Sequence, residues 1–215
     1  MMFILDWDGT LLDSTGRIVT AMQMAAAELD IEVLGTEPVR NIIGLGLPEA
    51  IIELYPELAL VGRQELQLAY SRHYVASDQQ PCAWFPTVRA TLQQLKDEGV
   101  ILAVATGKSR RGLSRVLDQL EMLDFFHATR CADETQSKPH PQMLHELLEE
   151  LDTSAAQTVM IGDTEYDMAM AQAAGVPRIA VGYGAHATER LLRYRPELVI
   201  DEFAQLLEWR ESRGR

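Results

Sequence analysis

Three short apolar runs, "VILAVAT" at 100–106, "TVMIG" at 158–162 and "RIAVG" at 178–182, each lie close to a helical pattern. That alternation is the mark of a parallel α/β sheet. "FFHATR" (125–130) and "LVID" (198–201) are weaker strand candidates. The helices are better marked. Pro86 suits a helix start, Val88, Leu92 and Leu95 recur on one face, and Gly99 supplies the stop. A second helix carries Leu113, Val116, Leu117 and Leu120, and a third Met143, Leu144, Leu147, Leu148 and Leu151. From Ser14 to about Pro81 the alternation stops. Ile18, Met22, Ala25 and Leu29 keep helical spacing, as do Leu66, Tyr70 and Tyr74, and no convincing strand lies between. The expected architecture is therefore a doubly wound, Rossmann-like parallel core (1–14 and 81–215) with an all-helical insertion (15–80) after the first strand. Such an insertion overhangs the carboxyl edge of the sheet.

That first strand ends unusually. In "ILDWDGT" an apolar run passes into two carboxylates two residues apart, Asp6 and Asp8, which period-two alternation sends to one side while Trp7 goes to the other. Two like charges at one site raise a pKa or destabilise the fold unless something cationic sits with them.

Composition removes several function classes. The 215 residues include 47% apolar and 24% charged ones, as in a soluble globular protein, and the net charge of −13 argues against nucleic acid and anionic membrane surfaces. Cys82 and Cys131 have no C-x-x-C spacing, so no disulfide framework or zinc site is indicated, and a reducing cytoplasm is expected. "MMFIL" is too short for a signal-peptide core, and no apolar stretch reaches membrane-spanning length.

In open α/β sheets, residues at the carboxyl ends of strands converge on one crevice. Asp6 and Asp8, Thr106 after "VILAVA", Asp163 after "TVMIG" and Lys138 in "SKPHP" are such residues. Carboxylates, a hydroxyl and a lysine suit Mg²⁺ and phosphate, because that hard cation is held by one or two carboxylates plus substrate phosphate and water. Asp6 then acts as a nucleophile through an aspartyl-phosphate, and Asp8 as the acid and base. Lys138 and Thr106 bind the phosphoryl oxygens. Asp167, four residues after Asp163, shares its helical face if a helix begins there and holds metal-bound water.

Taken in order, "DWDGTLLDS", "ATGKS", "SKPHP" and "GDTEYD" resemble the four motifs of the haloacid dehalogenase superfamily of phosphohydrolases, over the whole chain. The helical insertion resembles that family's small cap, and within the family phosphoglycolate phosphatases are the nearest likeness. The resemblance implies Asp6 as nucleophile, Asp8 as acid/base and main-chain metal ligand, Thr106 and Lys138 as phosphate ligands, and Asp163 as metal ligand. It also implies a small phosphorylated metabolite as substrate. Thr87 stands where relatives often have glycine, and Gly107 where many have asparagine beside the phosphate. In the cap, the loop around Arg40, Asn41, Gly44, Leu45 and Gly46 is the expected place for leaving-group contacts.

Other classes fit less well. "VATGKS" lacks the first P-loop glycine, because position 102 is Leu102. A receiver domain shares the acids, threonine and lysine but not the insertion after the first strand. A dehalogenase does not need Asp8, and a phosphonate-cleaving relative needs a cap lysine, whereas the first lysine is Lys96. A hexose-phosphate mutase is the alternative function. Its cap must grip a second phosphate, yet residues 15–80 carry nine acidic residues against four arginines, Arg17, Arg40, Arg63 and Arg72. Lys108, Arg110 and Arg111 crowd a helix start, where the macrodipole disfavours them. They are either solvated or turned to the site entrance.

Overall fold

A computed structural model describes residues 1–77 and 82–213. Met2–Leu5 forms β1, and all four side chains are buried, Phe3 and Leu5 on one face and Met2 and Ile4 on the other. Burial on both faces is why the run is apolar without alternation. The other strands are β2 (Ile101–Thr106), β3 (Ala128–Cys131), β4 (Thr158–Gly162), β5 (Arg178–Val181) and β6 (Leu198–Ile200). They form one parallel sheet in the order β3-β2-β1-β4-β5-β6. The chain winds outward from β1 in one direction, then returns to the other side through β4. The strand order therefore reverses between β1 and β4, which is where such sheets bind ligands.

Helices α5 (Val88–Asp97), α6 (Arg110–Gln119) and α10 (Gln205–Arg213) supply Leu92, Leu95, Leu113, Leu117 and Leu206 to the Phe3 and Leu5 face. On the Met2 and Ile4 face lie Met143, Leu144 and Leu147 of α7 (Gln142–Glu150) and Met170 of α8 (Glu165–Ala173). Each such buried side chain stabilises the fold by roughly 1.5–3 kcal/mol. A short α9 (Thr188–Leu191) packs its Leu191 against Met168.

Among the described residues between β1 and α5 stand four helices, α1 (Thr15–Glu28), α2 (Thr36–Asn41), α3 (Leu47–Leu54) and α4 (Leu60–Ala76). They close around their own apolar cluster, including Met22, Ala25, Val39, Ile51 and Leu66. This helical cap touches the sheet domain through Ile18, Ile43 and Ala185. The expected junction at Gln80 and Pro81 lies outside the described residues. Among the described residues no helix is long and apolar enough to cross a membrane.

Two local expectations need correction. The third strand starts at Ala128, not at Phe125, because Phe125 and Phe126 stack edge to face and Phe126 packs on Trp7. The helix after Pro86 starts at Val88, because Thr87 takes a left-handed φ of 65° and sits at its N-cap.

Candidate active site

The Asp6 N–H donates to Ile161 O at 2.9 Å, extending the β1–β4 ladder one residue beyond β1 and setting the carboxylate between the two strand ends. The chain then turns sharply, with Trp7 sent to the opposite face against Trp84 and Phe126. Gly9 has φ +81°, and a Cβ there would lie 2.2 Å from Asp163 Oδ2. Only glycine lets the turn and this carboxylate share the space.

Lys138 is buried in the connection from β3 to α7. Its Nζ donates to Asp6 Oδ1 and Asp167 Oδ1, both at 2.6 Å. Asp163, one residue past β4, accepts from Thr10 Oγ1 and from the Ala185 N–H, each at 2.7 Å. Asp6, Asp163 and Asp167 each bring a carboxylate oxygen within 4.8 Å of the others, and all three are buried. Among the described residues Asp6 Oδ2 has no hydrogen-bond partner.

Three buried carboxylates thus share one ammonium. Burial is the main cause that raises the Asp6 pKa well above the carboxylate range, with Lys138 pulling back and Asp167 and Asp163 pushing further. Burial and then Asp167 push Asp163 up to about 7. Burial opposes the charge on Lys138, but Asp167 and Asp6 outweigh it and raise its pKa. The cluster lacks positive charge, and oxygen donors around an unpartnered carboxylate oxygen fit a hard divalent cation.

The convergence of Asp163 and Asp167 has a different cause from a shared helical face. Asp163 precedes the helix, Thr164 is its N-cap, and Asp167 closes a capping box in which Oδ2 accepts from the Thr164 N–H at 3.1 Å.

Asp8 goes elsewhere. Its Oδ1 accepts from Ser14 Oγ at 2.5 Å and pairs with Lys108 Nζ at 2.9 Å, so its side chain does not join the other three acids. Of the three cations at the α6 start, Lys108 turns inward and also reaches Tyr74 OH at 3.2 Å. Arg110 forms a two-point pair with Glu134, and Arg111 lines the cavity. Thr106, at the end of β2, is fully buried, its Oγ1 accepting from the Lys108 N–H at 3.2 Å. A Cβ on Gly107 would lie 2.5 Å from Leu45 O and 2.6 Å from Gly44 O, so glycine here lets the cap loop close onto the strand end.

A cavity of about 880 Å³ opens over Asp6 and Asp8 and is walled on its far side by the cap. Arg40 and Asn41, the expected leaving-group contacts, do not line it. The Arg40 guanidinium donates to Gly184 O and Ala185 O, and Asn41 O accepts from Tyr166 OH at 2.9 Å and faces His186 Nε2 at 3.1 Å. They pin the cap to the sheet domain instead. Arg40 and Asn41 close α2 and do not belong to the expected loop, whereas Gly44 and Leu45, in the turn that follows, do line the cavity. Ser14 and Thr10 were visible inside "DWDGTLLDS" as hydroxyls without an assigned task; the structure sets them on Asp8 and Asp163. Tyr70 and Tyr74, legible only as a helical stripe, line the cavity.

The family model for haloacid dehalogenase-like hydrolases matches residues 3–181. The chain belongs to this family. As a haloacid dehalogenase-like hydrolase it is 34% identical to the "Probable phosphatase IndB" of Dickeya dadantii, over 96% of this chain and 91% of that one. It is 31% identical to the phosphoglycolate phosphatase of Yersinia pseudotuberculosis, over 94% and 89%. A hydrolase from Pseudomonas syringae shares the fold with a TM-score of 0.89 at 21% identity, over 99% and 98%. The β-phosphoglucomutase of Clostridium difficile does so with 0.84 at 18%, over 98% and 95%.

Proposed function

We propose that this hydrolase is a Mg²⁺-dependent phosphatase of a small phosphate monoester, working through an aspartyl-phosphate on Asp6 and related in chemistry to the phosphoglycolate phosphatases it resembles. The observation that carries this is the state of Asp6: buried at the cavity end of the sheet, with Oδ1 held by Lys138 and Oδ2 unpartnered among the described residues. A carboxylate held by one oxygen and free at the other is oriented for attack.

In the first half-reaction Asp6 Oδ2 bonds to phosphorus while the P–O bond to the alcohol breaks, and Asp8 gives its proton to the departing oxygen. In the second, Asp8 takes a proton from water, whose oxygen bonds to phosphorus and releases Asp6. Lys138 stays charged and steadies Asp6 and the phosphoryl oxygens; the Thr106 hydroxyl is free to donate, since its backbone contact uses it as an acceptor. Asp6, Asp163 and Asp167, with the main chain of Asp8, would hold the Mg²⁺, which supplies charge neutralisation at the phosphate.

Mutase chemistry is disfavoured by the cap cations. Arg40 holds sheet-domain carbonyls, Arg63 donates to Pro56 O, Arg72 pairs with Glu28, and Arg17 lies against the Tyr74 ring. A clamp for a second phosphate needs free cations in the cavity, and the cap arginine that lines it, Arg72, is paired with Glu28.

Incubation with phosphomonoesters and Mg²⁺ should release inorganic phosphate, and a chelator should stop it. With a hexose 1-phosphate and a trace of bisphosphate, the 6-phosphate accumulating without inorganic phosphate would establish the mutase instead.

A further inference from the structure

The cavity is larger and more apolar than a two-carbon hydroxy acid requires. Its volume of about 880 Å³ falls in the range of pockets that hold drug-sized ligands. The cap side of the lining carries Ile18, Met22, Ile43, Leu45, Tyr70 and Tyr74, with Glu49, Gln67, Ser71 and Arg72 as its polar members. The two tyrosine rings lie 5.8 Å apart at 32°, forming an aromatic panel on α4. Burial raises both phenols above the ordinary tyrosine value, so the panel meets a ligand uncharged.

A carboxylate on the leaving group would need a cation on this wall. Among the described residues the one cap arginine that lines the cavity, Arg72, pairs with Glu28; Lys108 is held by Asp8 and Tyr74, and Arg111 and Arg115 line the cavity from α6, on the sheet-domain side and not on this wall. A carboxylate set against the panel loses hydration without a partner, whereas an apolar ring gains from the same contact.

We propose that the cap wall is a leaving-group subsite for an apolar or aromatic ring, so that the substrate is a phosphate monoester of a ring-bearing alcohol rather than of a short hydroxy acid. This rests on the phosphatase function proposed above. Aromatic rings in this subsite pack on Tyr70 and Tyr74, and the ester oxygen remains over Asp8.

Four esters of unactivated primary alcohols, ethyl, benzyl and 2-naphthylmethyl phosphate and 2-phosphoglycolate, test it, because they demand similar chemistry at phosphorus. With Mg²⁺, kcat/KM for benzyl and naphthylmethyl phosphate should exceed that for ethyl phosphate and 2-phosphoglycolate by about tenfold or more. Leu45→Gln, a change on a half-buried loop position, should lower the benzyl-to-ethyl ratio about fivefold. If 2-phosphoglycolate is turned over as well as or better than the ring esters, the subsite is overturned and the phosphatase stands. If none of the four releases phosphate, the phosphatase and the subsite fall together.

Discussion

The floor and the roof of the cavity are made by different parts of the chain from different materials. The floor is three strand ends, the first turn of α8 and one connection, bearing Asp6, Asp163, Thr106, Asp167 and Lys138 within fixed hydrogen bonds. The roof is an inserted helical layer that lines the cavity mainly with apolar and aromatic side chains and whose arginines Arg40, Arg63 and Arg72 have partners of their own. Charge is affordable on the floor because each carboxylate there has donors supplied by neighbouring backbone, hydroxyl or ammonium groups. The roof has its own core and can change its lining without disturbing those bonds. Chemistry and selection are therefore separable, and each substitution below strikes one side of that division.

The largest effect belongs to the floor. Asp6→Asn removes the nucleophile, and turnover of every ester should fall by roughly 10³-fold or more, with no change in substrate ranking. The melting temperature should stay near wild type, because Asn is close to isosteric and Lys138 keeps Asp167. Near wild-type turnover would take the nucleophile away from Asp6.

Asp8→Asn comes next. Loss of proton transfer should slow ethyl phosphate by about 10²- to 10⁴-fold, and p-nitrophenyl phosphate by less, because its leaving group needs no proton. Equal slowing on both esters would remove the acid role.

Gly107→Ala strikes the contact between floor and roof. The new Cβ meets two backbone oxygens, Leu45 O and Gly44 O, that cannot swing aside as a flexible side chain would. Strain of about 1–3 kcal/mol should push the cap loop back and lower kcat/KM by roughly tenfold, mainly through KM. Unaltered kinetics would mean that the roof does not seat on the strand end during turnover.

The same division governs what could be read in advance. β4 spans the whole of the "TVMIG" run, and β2, β5 and β6 fall within their apolar runs, because strands buried on both faces must be apolar whatever surrounds them. The strand-end acids followed from that, since topology alone carries Asp6 and Asp163 to one edge. Side-chain partners were less legible. Nothing local says that Lys108 turns under the cap to Asp8, because the partner lies a hundred residues away in sequence and Tyr74 helps to hold it. Arg40 and Asn41 end α2, just before the turn that carries Gly44 and Leu45, yet the polar pair faces the seam and the apolar residue faces the cavity. Thr87 was visible as an exception to glycine, and its positive φ explains why glycine suits that turn.

The seam itself gives the smallest effect. His186 is buried where the roof meets the sheet domain, its Nδ1 accepting from the Glu165 N–H at 3.1 Å. Its Nε2 faces Asn41 O at 3.1 Å and must carry the proton, so the native ring is neutral. Around it stand Arg190, which pairs with Glu165, and the Tyr166 ring at 5.5 Å. Burial first, and Arg190 second, hold the His186 pKa below the ordinary 6.5. The unfolded chain therefore takes up the proton before the folded one does. The stabilisation is complete above pH 6.5 and is lost as pH falls from there through the depressed folded value. A protonated Nδ1 also cannot accept from Glu165, so acid loosens the roof at this point while Lys138 on the floor keeps its charge. Melting curves in Mg²⁺ from pH 7.5 down to pH 5 should decline less in His186→Gln than in wild type, by about 2 °C at the acid end. If the two proteins lose stability in parallel, His186 does not titrate in this range and the seam is indifferent to acid.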